Sequence, residues 1–598
     1  MKKSMIKRAL LMAVVCVAAA SADAVEYTNA DYSGDLASDG AWSGGVVPTG
    51  QDIEFKKKTG RTTATSDVSF KFVSVTGPEA TAADPKKFTF DMRNSASGAS
   101  SDPRKIALKN LDVLAGAKNF TLEIKGGLWD FSHGDNYYYM PRLIGGNWDT
   151  SVQSNRIVVS DGAVLTNMCS ASAGMLQWGC CNSFILTGDG TVAWVNNSEI
   201  TPFNYGLENR FEIRDGAKMY GWQLQLKEGR SSGNFKKNRM VVTGEGSLLK
   251  LYNHFGDCGV GVGYSGSVGC ELEVNDHAGL LVKNSYGGVP LRIGGSGSAG
   301  TRNNSMYVDN YATVTSGVVC VGSDVGAMTN LLFIGKGATY WATGALQIGV
   351  ASNACANTLV VSNGTLRATS FDIGHQFSAG QTVKFIGPET KAIFTSMSGN
   401  GVALFHAGTH DNLLEFNCTT QKWTSTTEGP WRINIGGYVG QTASALQTSN
   451  NVVRLADSSL LHVAWCSVGW TNGVGTVSNP GNMLEISGGS RLQCDNFYCY
   501  PDNILKIKVP KEGLAEIPIA CSWIYMYEGS ILDIDVSEWT DGDKCTVLYS
   551  SWNDLRSRID DSVIAAANEK LAGKAKLYWK NSQTLMLKRL YGLTILFK

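Results

Sequence analysis

The sequence predicts an all-β chain, a right-handed parallel β-helix (β-solenoid) with a small α+β cap at its C-terminal end. Three observations lead there. Glycine makes up 68 of 598 residues while charged residues are only 17%, a balance that suits many short strands joined by turns. A two-strand stretch, NTLVVSNGTLRAT from Asn357, is written again and again, as in NLLFIGKGATYWA from Asn330. Inside each copy apolar residues fall at every second position, which is the period of a strand and not of a helix.

Thirteen copies begin at Asn155, Asn182, Asn209, Asn238, Cys270, Asn304, Asn330, Asn357, Gln381, Asn412, Asn451, Asn482 and Asn503. Their intervals are uneven, so this is a repeat with ragged loops. Pairs such as Ile157 and Val159, Leu332 and Ile334, or Leu484 and Ile486 take the inward positions. The residue between them is often charged: Glu212, Glu273, Lys384, Glu415, Arg454, Glu485 and Lys506. An Asp-Gly, Asn-Gly or Lys-Gly pair then turns the chain. A further strand ends in Ile-Gly or Val-Gly, as in LRIGG at Leu291, VCVGS at Val319 and INIGG at Ile433.

One such turn cannot bury its own apolar side, so neighbouring turns must stack. The recurrent Asn then falls at equivalent corners, where side-chain amides can bond from rung to rung. Thirteen rungs at about 4.8 Å each amount to roughly 60 Å of stack. A propeller fits less well, because its blades take about 40 residues and four antiparallel strands.

The pattern NxLxVxxGxLxxxxLxIG resembles the passenger repeats of bacterial autotransporters and related surface β-solenoid proteins. The early stretch GAWSGGVVPTGQDIEF, with Trp42, Pro48 and Asp52, is similar to the segment that opens such arrays. The resemblance covers Ala41 to Ile507 and implies a scaffold rather than an activity. The family's C-terminal translocator barrel has no counterpart in the residues after the last repeat.

The N-terminal stretch MKKSMIKRALLMAVVCVAAASADA, Met1 to Ala24, combines a basic start, an apolar run from Ala9 to Ala20 and small residues at Ala22 and Ala24. It reads as a signal peptide cleaved before Val25, so the chain is expected to be exported to the cell surface or medium, or to the periplasm. Residues 25–100 read as an N-terminal β cap with the first turns, 101–528 as the solenoid and 529–598 as the C-terminal cap. Within that cap Ser551 is expected to N-cap a helix carrying Leu555, Ile559, Val563 and Leu571 and ending near Gly573. KLYWKNSQTLMLKR reads as a hairpin about Asn581-Ser582, and the tail YGLTILFK as a last edge strand or a docking tag. It is too short to span a membrane.

Without the leader the chain keeps 48 basic against 51 acidic side chains, which is no footprint for nucleic acid. No transmembrane helix is expected. Thirteen irregularly spaced cysteines do not form a small-domain disulfide framework; most read as buried hydrophobes, with local bridges open at Cys180/Cys181 and Cys494/Cys499. The seven His and the cysteines lack zinc-site spacing, and His254, His277 and His462 read as loop or packing residues. No metal and no cofactor is expected.

β-Helix glycosidases carry NTD, DD, GHG and RIK motifs, and that set is not found. Asp560-Asp561 is the one adjacent Asp pair and falls on the expected helix. GHQ at Gly374 and KIK at Lys506 are isolated fragments. The strongest acid–base mixture is WDFSHGDNYYYMPR, with His133, Asp135 and Arg142 about Tyr137 to Tyr139. It reads as an aromatic cover on the solenoid or a sugar-contacting loop. The chain is therefore expected to be a structural, adhesin-like scaffold with no discrete active site, meeting a cell-surface or extracellular glycan or protein. The alternatives are a polysaccharide lyase or glycosidase, and a glycan-binding module, which requires exposed aromatics in line at rung spacing.

Overall fold

The computed structural model describes 25–26, 36, 47, 49 and most of 51–591. Outside the described residues lie 1–24, 27–35, 37–46, 48, 50, 57–59, 65, 71, 77–79, 94–103, 109, 114–117, 132–137, 140, 145–153, 171–174, 178, 197–198, 205–207, 227–237, 254–258, 264–266, 285–290, 296–299, 375–376, 396–408, 424–431, 437–447, 470–478, 553 and 592–598. The expected signal peptide and the apolar tail after Tyr591 therefore fall outside them. The chain forms two compact units, Met1–Gly221 and Trp222–Lys598.

The fold is a parallel β-solenoid, as the repeat requires. In the first unit each turn supplies one strand to each of three parallel sheets. The first sheet runs Gly60–Thr62, Lys86–Asp91, Phe120–Lys125, Arg156–Ser160, Ser183–Thr187 and Arg210–Arg214. Stacking thus begins well before Asn155, in the irregular stretch after residue 25. Phe55, Phe88, Phe90 and Trp129 fill this unit's interior in edge-on contacts.

The second unit has a first sheet of the same kind, running from Arg239–Thr243 through Leu331–Ile334 and Thr358–Ser362 to Ile531–Asp535. Strands such as Thr339–Ala342 build the second sheet and Leu346–Ile348 the third. In the last turns the second and third faces share one long strand, Arg491–Cys499 and then Ile519–Met526. Inward residues of each repeat, for example Leu332, Ile334, Leu359 and Val361, are fully buried, so alternation decides the core.

The expected amide column is present. The Asn304, Asn330 and Asn357 side chains each donate to the next amide in the column at 2.9–3.1 Å, the last meeting Gln381. Asn412, Asn451, Asn482 and Asn503 repeat this at 2.8–3.0 Å. The same oxygens also accept backbone N–H bonds, as Asn357 does from Asn330 at 3.2 Å. The Ile-Gly and Val-Gly signature belongs to this corner: Gly322 has φ +73°, and a Cβ there would overlap the Asn357 amide.

The cap differs from expectation in one respect. The helix spans Asp561–Lys570, and Asp560, not Ser551, caps it by accepting from the Ser562 N–H. Leu555 sits in a short 3-10 turn, Leu555–Ser557, and Ile559 bridges Met526 in parallel. That bridge extends the rung, and an extended Ile559 cannot be helical. Leu555, Ile559, Val563 and Leu571 are nonetheless all buried. The hairpin forms as expected, Ala575–Asn581 against Thr584–Arg589, which pairs antiparallel with Lys544–Ser550.

Candidate functional site

The last turns of the second unit gather aromatic side chains on their third face. Trp465 opens the strand Trp465–Val468. On Arg491–Cys499, the Asp495 and Asn496 N–H groups both donate to the Ala464 carbonyl at 3.0 Å, which makes the corner between second and third faces. Beyond it Phe497 and Cys499 point inward while Tyr498 is half-buried and outward. On Ile519–Met526, Ile524 and Met526 point in, while Trp523 and Tyr525 point out. Tyr500 and Tyr527 follow each strand, and Tyr527 is exposed.

Parallel register sets Tyr525 beside Tyr498, while Trp465, whose register partner is Asn496, reaches Tyr498 diagonally. Trp465 and Tyr498 have centroids 4.9 Å apart at 19°, and Tyr498 and Tyr525 4.9 Å apart at 2°. Tyr500 and Tyr527 form a second stack at 5.0 Å and 14°. Along the strand Trp523, Tyr525 and Tyr527 stand 6.4 Å apart and nearly parallel. Arg432 lies 4.5 Å from the Trp465 ring centre and Arg558 5.0 Å from that of Tyr525, so the main column ends in a cation–π contact on each side.

Stacking occupies the faces of the column's rings, and their edges and polar ends are what solvent meets. Burial, then the neighbouring phenols, push the Tyr498 and Tyr500 hydroxyls above the ordinary tyrosine value, and the same holds for Tyr527. They stay neutral, able both to donate and to accept. The arrangement presents a regular array of phenol and indole groups beside two guanidinium groups. It offers hydrogen bonding and apolar edge contact, with no acid–base pair poised among the rings.

Of WDFSHGDNYYYMPR, His133, Asp135 and Tyr137 lie outside the described residues. Tyr138–Tyr139 pairs antiparallel with Cys169–Ser170, a lateral strand. Arg142 is committed to Asp112 through two 2.8 Å bonds; burial pushes the Asp112 carboxyl up against the pull of that guanidinium. Asp560 is a helix cap, and Lys506 stands in register with Glu485 and Asp533. His277 stacks on Tyr311 at 5.2 Å, and His462 faces outward between Lys422 and Gln493 in register. Cys181 donates to the Glu208 carboxylate at 3.3 Å, and burial with that carboxylate takes its thiol up to about 11. Among the described residues no group of three or more His, Cys, Asp or Glu is arranged to hold a metal.

The aromatic face follows no motif of the sequence, although NFYCYP from Asn496 and SWIYMYEG from Ser522 carry rings at i and i+2. Two such stretches on successive turns of a repeat protein are the available signal. No protein-family model matches the chain, and neither the curated proteins nor the solved structures contain a match to it.

Proposed function

We propose that the chain is an exported, adhesin-like β-solenoid scaffold that holds glycan chains on the face made by Trp465, Tyr498, Tyr500, Trp523, Tyr525 and Tyr527. The observation that carries this reading is the alignment of six rings over three rungs, at about 5 Å along the stack and 6.4 Å across it. A ligand that is itself a regular array of hydroxyls matches such a surface. Neutral phenols and indole N–H groups bond sugar hydroxyls, ring edges meet sugar C–H groups, and Arg432 and Arg558 add charged donors at the two ends of the column. The N-terminal basic and apolar pattern supports export. Binding is extended and made of many modest contacts, in keeping with a scaffold.

The test is retention of the mature chain on a panel of neutral and acidic polysaccharides, with new reducing ends and unsaturated products measured in parallel. The expected result is retention without cleavage, weakened about tenfold in Tyr525→Ala, equivalent to about 1.4 kcal/mol. Retention unchanged by Tyr525→Ala and Tyr498→Ala together, or none at all, sinks the glycan-binding face. Cleavage of any polysaccharide replaces the scaffold with an enzyme.

A further inference from the structure

Behind the aromatic face lies a buried group of sulfurs. Cys494 sits on Arg491–Cys499 and Cys521 on Ile519–Met526, directly opposite each other in the parallel register. Both are buried, and their Sγ atoms are 2.6 Å apart, about half an ångström beyond the ~2.05 Å of an S–S bond. Neighbouring parallel strands stand ~4.8 Å apart, within the Cα separation that a disulfide spans. The other sulfurs nearby are placed differently. Cys499 donates to the Asn503 carbonyl at 3.6 Å, and Cys466 is in register with Phe497. The sulfur that faces Cys494 is therefore Cys521, not Cys499 further along its own strand.

We propose that Cys494 and Cys521 form a rung-to-rung disulfide in the exported protein. The bond joins the two strands that carry or flank Tyr498, Tyr500, Trp523, Tyr525 and Tyr527, and so holds five of the six rings in register. Formation is thiol–disulfide exchange with an oxidised dithiol donor of the exporting compartment. One cysteine, as thiolate, attacks the donor disulfide and releases one donor thiolate. The second cysteine, having lost its proton, attacks the mixed disulfide. The Cys494–Cys521 bond forms, two protons leave, and the two electrons end on the donor, now a dithiol. Burial raises the Cys494 thiol well above its ordinary value, so the thiolate is scarce once the rung is closed. Exchange accordingly precedes closure of the turn.

The proposal rests on export, and the test separates the two. The full chain with its leader is expressed in a host with an oxidising periplasm, and the N-terminus is sequenced in each fraction. The protein is denatured, free thiols are alkylated, and peptides are mapped before and after reduction. Processing before Val25 with one peptide pair joined through Cys494 and Cys521, and Cys521 newly alkylated in Cys494→Ser, is the expected result. Processed protein with both cysteines alkylated before reduction, or with Cys494 joined to Cys466, overturns the bond while leaving export intact. If the leader stays on and the chain stays inside, export fails. The bond is then decided by refolding the purified chain in oxidised glutathione and repeating the map, and alkylation of both thiols there overturns it. A lower urea midpoint on reduction, absent in the Cys494→Ser/Cys521→Ser double variant, reports the same clamp independently.

Discussion

In the second unit the amide column at the Asn corner and the ring column of Trp465, Tyr498 and Tyr525 are built alike. Each repeats one kind of side chain at the rung spacing; parallel register brings Tyr525 beside Tyr498 as it brings amide to amide, and Trp465 reaches Tyr498 from two positions along its strand. Their surroundings separate them. Asn330, Asn357 and Gln381 are fully buried, and each of these amides gives and receives bonds within the corner. Tyr498 and Tyr525 keep one edge in solvent. A buried polar column must satisfy itself completely, because each orphaned group costs the full desolvation penalty. A half-exposed ring column carries no such penalty and leaves its edges open to a ligand. Similar stacks thus close a buried corner in one place and leave ring edges exposed in the other.

The largest effect is expected from breaking the amide column. In Asn357→Ala, the Asn330 N–H and side-chain amide both lose the Asn357 acceptor. Two orphaned buried donors cost roughly 3 kcal/mol, read as a lower urea midpoint and new protease cleavage in the middle rungs. Asn357→Gln should cost less than half of that, because Gln381 already serves in the same column. Equal losses in the two variants would mean that the column matters as packing and not as hydrogen bonding.

The glycine that faces the column sharpens the point. Gly322 and Gly326 have nearly the same backbone, φ +73° and +72°, yet a Cβ on Gly322 meets the Asn357 amide while one on Gly326 meets nothing within 4 Å. Gly326→Ala should therefore show only the left-handed cost, about 1 kcal/mol. Gly322→Ala should add displacement of the amide, for a total of about 2 kcal/mol or more. The same unfolding measurement on both variants isolates the contact from the strain, and equal losses would remove the contact.

The ring column should respond in the opposite pattern. Tyr525→Phe keeps the stack and loses only a hydroxyl, so it should lower retention on the bound polysaccharide with the urea midpoint unchanged. Tyr525→Ala should lower both, the stability part by about 1 kcal/mol for the lost ring contacts. If Tyr525→Phe leaves retention intact, the ring column is a structural ladder like the amide one.

Much of the scaffold was legible because its signals are local. Period-two alternation names Leu359 and Val361 as core without any partner in view, and a repeated Asn marks its corner whatever lies between copies. Where Asn357 finds Gly322 is not local, since the two belong to different turns. The ring column was hidden for the same reason. Uneven intervals between copies leave open which ring lies over which, and Trp465 meets Tyr498 although its register partner is Asn496. The helix start was misplaced because apolar spacing at Leu555 and Ile559 fits a helix as well as it fits a buried rung.

The outer face of the first sheet carries a third column, and the smallest effect is expected there. Lys384, Glu415, Arg454, Glu485, Lys506 and Asp533 are successive partners in register, so charge alternates from rung to rung. Glu485 is the most enclosed, held by Arg454 at 3.2 Å and Lys508 at 2.6 Å. Burial alone would raise its carboxyl, but Lys508 and Arg454 outweigh that and bring it below the ordinary value of 4.5. A carboxyl depressed by folding contributes stability that is fully present above its unfolded value and lost as pH falls through the folded one. Wild type should therefore lose part of its stability below about pH 4.5. Glu485→Gln should show less of that loss and sit lower at neutral pH by under about 1 kcal/mol, because both cations are more than a third exposed and screened. A variant whose acid unfolding matches wild type would show that the alternation sets register without stabilising the fold, since like charges on neighbouring rungs would repel in any slipped pairing.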